Sequence, residues 1–497
     1  MGWRGLTILL VGLAVHSAGC DDPGSGADGG VDAGPDGQVA LDARPDAGDG
    51  AVTDCPWPDL AFAPAPKVVD GLYAVPVDIQ TLDGTVVLDG YQQTGRAGAR
   101  VTFRLGSAGG MPILDLRQTP DLLELDGEPI SPQGFAHHDF GAQWHGRLRV
   151  VERSLAPCTS HTLVVDYDLG APASPEARPV DWAAGSSEVR WDFWFTDLEP
   201  GRYLEMWFPA NLIYDRFTFG LALDLRSDAD HAVISNAEVF DLGPGLWQLE
   251  FPPYHTALSP MVVVRPRTDL VSETRTELFG NGQSITIEVH RLATVADTDP
   301  PLMDRVVTAT ATAIASTGDY PHGERLVVYV WDEEGRSMEY DGGTTTGPDS
   351  LEHELFHSWF GRGVRPALGR DGWMDEAWTV FNTDEHDAFE VAELPATASP
   401  MVLDDGNPWG RITPGLSYEG GRLVFAHLAF LMGLGDLRTA MAGFYAAHVP
   451  DPVRTADLER HLYCFDAAAA DAVARAFWRY VYGESGDRDP ATYPTCP

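Results

Sequence analysis

Apolar and polar positions alternate in short runs between residue 55 and about residue 268. Residues 99–105, 147–153, 162–167, 217–225 and 261–264 each read as a strand with one buried face, and Gly, Pro or Asp separates them. No helical period is sustained in this stretch. The pattern predicts an N-terminal antiparallel β-sandwich or saddle domain over 55–268. The texture then changes. Residues 284–289 and 325–331 are two further strands, and 301–317 carries a helical period. From residue 349 onward helices dominate, at 350–361, 373–384, 419–432, 436–447, 455–462 and 466–481. Residues 269–497 therefore read as an α+β domain, and the whole as a multi-domain chain.

The first 54 residues stand apart from both patterns. Arg4 precedes a ten-residue apolar run, 6–15, which is too short to span a bilayer as a helix. Residues 1–19 read as a signal peptide. Ser17-Ala18-Gly19-Cys20 resembles a bacterial lipobox, with Ser17 where Leu is usual, so Cys20 is the expected site of lipidation. Residues 20–54 then form a tether. Its positions 21–54 hold nine Asp against one Arg and no aromatic residue, too little apolar surface to fold.

Composition narrows the functional classes. Hydrophobic residues make up 44% of 497, a globular proportion. The formal net charge is −41, and Lys67 is the only lysine. Little is available to neutralise phosphates, so nucleic acid is excluded as a partner. Contact with a membrane is expected only through the lipid at Cys20. Setting Cys20 aside, four cysteines remain, as befits an exported chain with two disulfides. Three pairings are possible, and clustering along the chain favours Cys55–Cys158 and Cys464–Cys496. The expected location is the bacterial cell envelope.

The chemistry concentrates in the α+β half. His353-Glu354-Leu355-Phe356-His357 falls in a predicted helix. Histidines four apart share a helical face, so both imidazoles can reach one cation, about 2.0–2.1 Å away for zinc. Glu354 lies beside the open coordination position, suited to take a proton from water and pass it to a leaving amine. By itself this motif is weak. Here a third candidate ligand, Glu376, stands in a second helical stretch, with eighteen residues between it and His357. Phe356, Trp359 and Phe360 mark the first helix as buried, where polar groups without partners are costly. The expected cofactor is one Zn2+, held by His353, His357 and Glu376.

His353-Glu-Leu-Phe-His-Ser-Trp-Phe-Gly361 closely resembles the metal helix of the aminopeptidase N family of gluzincin metallopeptidases, in a short bacterial lipoprotein form. Trp373-Met-Asp-Glu-Ala-Trp378 is similar to that family's W-L-N-E-G-F, at the same spacing. Upstream, Ser337-Met338-Glu339-Tyr340-Asp341-Gly342 resembles its exopeptidase segment, with Ser337 and Asp341 as departures and a short loop to His353. Downstream, Tyr418-Glu419-Gly420-Gly421 resembles Y-E-K-G. Thr196-Asp-Leu-Glu199 is a looser match to T-Q-x-E. The resemblance implies a β-saddle on a thermolysin-like catalytic domain, without the C-terminal helical domain of many members. It implies Glu354 and Tyr418 as catalytic groups, Tyr418 donating to the oxyanion. Glu339 and Glu199 would bind the substrate's free amine, with an arginine of the fold as the competing partner for Glu339. The substrates implied are peptides, and a monomer is expected. An endopeptidase or a glycyl-aminopeptidase-like enzyme is the alternative cut, the latter suggested by Arg362-Gly-Val-Arg-Pro366. A catalytically lapsed peptide-binding lipoprotein and a structural surface lipoprotein complete the alternatives. His427 reads as a satisfied core histidine and His137-His138 as surface residues.

Overall fold

The computed structural model describes Cys55, Leu60 and residues 62–496, except 142–146, 171–179, 194, 197–202, 212–213, 333–336, 384–390, 396–397, 399–408 and 410–412. The expectations for the signal peptide, Cys20 and Glu199 fall outside the described residues. Residues Val52–Pro497 form one compact unit.

The β-rich stretch is built on an eight-stranded sheet. Its order is Glu238–Gly243, Leu246–Phe251, Thr218–Arg226, Val77–Asp89, Thr94–Leu105, Ser160–Asp168, Leu122–Leu125 and Glu128–Pro129. Alternation along Thr218–Arg226 puts Phe219, Leu221, Leu223 and Leu225 on the buried face. Phe219 pairs in register with Phe251, and their rings stack at 4.7 Å. One expectation needs correction. The sheet is not wholly antiparallel, because Thr218–Arg226 runs parallel to Val77–Asp89. Alternation fixes which face a strand buries but not the direction of its neighbour. Smaller sheets of four, three and two strands complete this half among the described residues.

The second half opens on a five-stranded sheet, ordered Leu270–Leu278, Ser284–Leu292, Arg325–Val330, Gly343–Thr346 and Met338–Tyr340. The strand Arg325–Val330 is apolar on both faces because it is shared. Leu326, Val328 and Val330 enter the core of the helical half, while Val327 and Tyr329 enter that of the β half. Met338–Tyr340 is an edge strand, antiparallel to Gly343–Thr346. The helix Leu302–Ser316 buries Leu302, Val306, Thr310 and Ala313, the stripe that a 3.6-residue period predicts. Arg305 in that helix donates to Glu352 Oε1 at 2.8 Å and so ties it to the next one.

That next helix, Leu351–Phe356, is shorter than the predicted 350–361. The reason lies beyond it. Gly361 sits at φ 108°, and any Cβ there would collide with the Asp375 carboxylate. The chain turns at this glycine so that the strand Arg365–Pro366 can pair with Pro452–Val453. The helices Trp373–Thr383 and Glu419–Met432 follow the predicted pattern. They pack closely because a side chain at Gly421 would strike Ala377. Two disulfides, Cys55–Cys158 and Cys464–Cys496, join residues with Cα separations of 5.8 and 5.5 Å, the pairing expected from clustering. Among the described residues no single helix is long and apolar enough to cross a membrane.

Candidate metal centre

Three elements converge on one point. The helix Leu351–Phe356 carries His353 and ends against His357, whose backbone N–H reaches the His353 carbonyl at 3.4 Å. That single turn brings the two Nε2 atoms to 3.1 Å from each other. Helix Trp373–Thr383, buried from Trp373 to Phe381, supplies Glu376. Glu376 Oε2 lies 3.4 Å from His353 Nε2 and 3.5 Å from His357 Nε2. The third element, the start of helix Glu419–Met432, supplies Tyr418, whose hydroxyl donates to Glu376 Oε1 at 2.9 Å. The Tyr418 ring lies nearly parallel to that of His353, 6.4 Å away.

This triangle of donor atoms fits a divalent metal. A tetrahedral shell with 2.0–2.1 Å bonds has edges of about 3.3–3.4 Å, and the observed edges are 3.1, 3.4 and 3.5 Å. Glu376 Oε2 is buried without a hydrogen-bond partner, a costly condition for a carboxylate oxygen. Since Tyr418 satisfies Oε1, Oε2 is the oxygen left for a cation. The donor set, two imidazoles and a carboxylate, is one that suits zinc.

Two groups that sequence reasoning missed complete the surroundings of His357. Its Nδ1 is hydrogen-bonded to Asp375 Oδ1, and Thr379 Oγ1 stands 3.3 Å from the same nitrogen. A carboxylate on Nδ1 turns Nε2 toward the metal position and makes it more basic. Burial lowers the pKa of His357, but Asp375, Glu339 and Glu376 outweigh it and leave it raised. Burial pushes Asp375 up against the pull of His357. Each of the two groups is thus the counter-charge that the other needs in that interior. The signal in the sequence was available: an acid flanked by Trp373, Met374, Ala377 and Trp378 is set for burial and needs a partner.

Glu354 follows His353 in the same helix and is 7% exposed. Glu339 lies in the edge strand Met338–Tyr340, with a carboxylate oxygen within 4.8 Å of donor atoms of His357 and Asp375. It is buried, and the competing partner expected for it, an arginine of the fold, is present. Arg362 Nη2 donates to Glu339 Oε1 at 2.7 Å, and Arg362 Nε donates to its backbone carbonyl at 3.2 Å. Two residues on, Arg365 Nη2 donates to Asp341 Oδ1, also at 2.7 Å. Asp341 is sealed in further by Ser259, whose hydroxyl donates to it, and by Asn236, which donates to its backbone carbonyl at 2.7 Å. The sequence left open which arginine would meet Glu339, and the fold brings up Arg362 for it and Arg365 for Asp341. Away from the site, His427 Nδ1 accepts the Leu394 N–H at 3.1 Å, as a satisfied core histidine should. His138 is buried rather than at the surface, at an inward position of the strand Phe135–Asp139, with its ring 2.9 Å from Asp70.

The same architecture recurs in solved structures. An M1 zinc metallopeptidase from Deinococcus radiodurans matches with a TM-score of 0.58, over 85% of this chain and 97% of its own, at 17% identity. The fold is that of the M1 zinc metallopeptidases. Legionella pneumophila aminopeptidase A, another of similar fold, gives a TM-score of 0.63 over 86% of this chain and 53% of its own, at 14% identity. Yeast LTA4 hydrolase gives 0.58 over 83% and 69%, also at 14% identity. No family model matches the chain, and no curated protein is similar to it in sequence. At these identities the likeness to the solved structures is one of fold.

Proposed function

We propose that this protein is a zinc-dependent peptidase that cuts peptides preferentially at the amino-terminal bond. The observation that carries this reading is the triangle of His353 Nε2, His357 Nε2 and Glu376 Oε2, with its buried oxygen lacking a partner. Zinc, when bound, supplies a Lewis acid that polarises a carbonyl and acidifies water. The rest falls to side chains of the chain. His357 is oriented by Asp375, and Glu376 by Tyr418. Glu354, next to a ligand in the same turn, accepts the proton of the attacking water and delivers it to the leaving amine. Tyr418 can leave Glu376 Oε1 to donate to the oxyanion, a neutral donor placed where charge develops. Glu339 faces the amino end of the substrate from the edge strand, along which a peptide backbone can add as a further strand.

The solved relatives in fold support a peptide substrate. One is described as bound to a Tyr-Ser-Ala substrate and another to L-arginine. The test is cleavage of a short peptide with a free amino end by zinc-loaded protein, with and without chelator. Cleavage indifferent to chelation would remove the metal from the reaction. Localisation belongs to the same proposal: Cys20 carries a lipid and the Asp-rich tether holds the enzyme off the membrane. A mature chain from its native host whose mass shows no lipid on Cys20 would contradict that part.

A further inference from the structure

Arg362 is a charged group in the site that the proposed chemistry does not use. Its guanidinium grips residue 339 twice, through the carboxylate at 2.7 Å and the backbone carbonyl at 3.2 Å. The Arg362 and Glu339 side chains keep 5% and 6% of their surface exposed, so the pair is desolvated and strong. Glu339 is at the same time within 4.8 Å of donor atoms of His357, a proposed ligand, and Asp375. An amino-terminal ammonium entering beside the metal therefore meets a carboxylate that is already neutralised. One of its two oxygens is taken. The Arg362 guanidinium on that carboxylate also repels an ammonium brought against it, the more so in a low dielectric.

We infer that Arg362 is a specificity-determining residue. By occupying Glu339 Oε1 it weakens the demand for a free amine, so that peptides with an uncharged, acylated amino end are cut alongside free ones. The inference rests on the proposed peptidase function and names its substrate class more narrowly. The neighbouring pair shows what the same chemistry does where no substrate reaches. Asp341–Arg365 has the same 2.7 Å contact, but Asp341 is enclosed by Ser259, Asn236 and His322. It joins the β half to the loop after the metal helix and has no surface to offer a ligand.

The experiment compares one peptide in free and N-acetylated form. kcat/KM is measured for wild type, Arg362→Met, Arg362→Lys and Asp341→Asn, all zinc-loaded. Binding of the same two peptides is measured calorimetrically in a Glu354→Gln background. Wild type is expected to prefer the free peptide by less than about tenfold. Arg362→Met leaves Glu339 with the substrate's ammonium as its available counter-ion. The preference should then rise by about tenfold or more, the usual worth of one hydrogen bond to a charged group, in kcat/KM and in Kd alike. Arg362→Lys keeps the charge without the fork and should fall between the two. Asp341→Asn should lower Tm and leave the ratio where it was. A wild-type preference above about tenfold overturns the inference, as does a ratio unmoved in the Arg362 variants. Should Arg362→Met not fold, the wild-type ratio and Arg362→Lys decide. If zinc-loaded wild type cuts neither peptide, the peptidase reading itself fails and this inference with it. If it cuts the free form alone, only the inference fails.

Discussion

The two sides of the site are built on different principles. On one side lie helices Leu351–Phe356 and Trp373–Thr383, in and beside which the proposed metal ligands fall between residues 353 and 376. Local geometry does most of the work there. A four-residue spacing puts two imidazoles on one face, and a buried second helix brings up the carboxylate. On the other side is the edge strand Met338–Tyr340, with its two acids held by arginines from beyond the metal helix. Its electrostatics are decided by partners more than twenty positions away. A helix motif with a third ligand at a fixed spacing thus points to its chemistry, whereas a lone carboxylate on a strand predicts only that some cation will meet it.

Removing a ligand should give the largest difference between the two sides. Glu376→Ala leaves two imidazoles without the carboxylate, and metal content measured by elemental analysis should fall from about one zinc per chain to near zero. Arg362 and Asp341 variants should keep their zinc. Tyr418→Phe comes next. If Tyr418 moves from Glu376 to the oxyanion, turnover should drop by on the order of 10²–10³ with zinc retained. A loss of only a few-fold would assign it to orienting Glu376 alone.

Asp341→Asn breaks a buried pair on the strand side and should cost about 3–5 kcal/mol of stability in denaturant unfolding. An effect under about 1 kcal/mol would mean that the pair is solvated and the contrast with the metal side weaker than drawn. The smallest effect concerns pH. Both ring nitrogens of His255 are buried without hydrogen-bond partners, and burial holds its pKa down to about 3. His322, buried beside Asp341, is held down to about 4. In the unfolded chain both titrate near 6.5. Between about pH 6.5 and 4 the unfolded state therefore binds more protons, so stability falls as pH falls. His255→Phe should flatten that dependence, read as Tm against pH, without touching the zinc side.

How much of this was legible in the sequence follows the same division. The grouping of His353, His357 and Glu376, the pairing of the cysteines and the helices after residue 300 could be read from spacing and period. Those features depend on neighbours within a few turns or on simple clustering. The parallel pairing of Thr218–Arg226 with Val77–Asp89 could not, because alternation is blind to strand direction. Asp375 was hidden in plain view beside Glu376, since the resembled motif drew attention to the ligand and not to what orients its partner. Arg362 was visible as a residue but not as a counter-ion, because only the folded chain brings residue 362 to residue 339.

The central claim, that this site is a zinc peptidase centre with Glu354 as its acid/base, is tested most directly by Glu354→Gln. Zinc content and peptide cleavage should be measured on the same preparations of variant and wild type. An amide at 354 cannot accept a proton, and loss of a general base typically costs about 10²–10⁴ in rate. The account predicts about one zinc per chain in both proteins and cleavage by wild type alone. No metal uptake by either protein, or turnover by Glu354→Gln close to that of wild type, would contradict it.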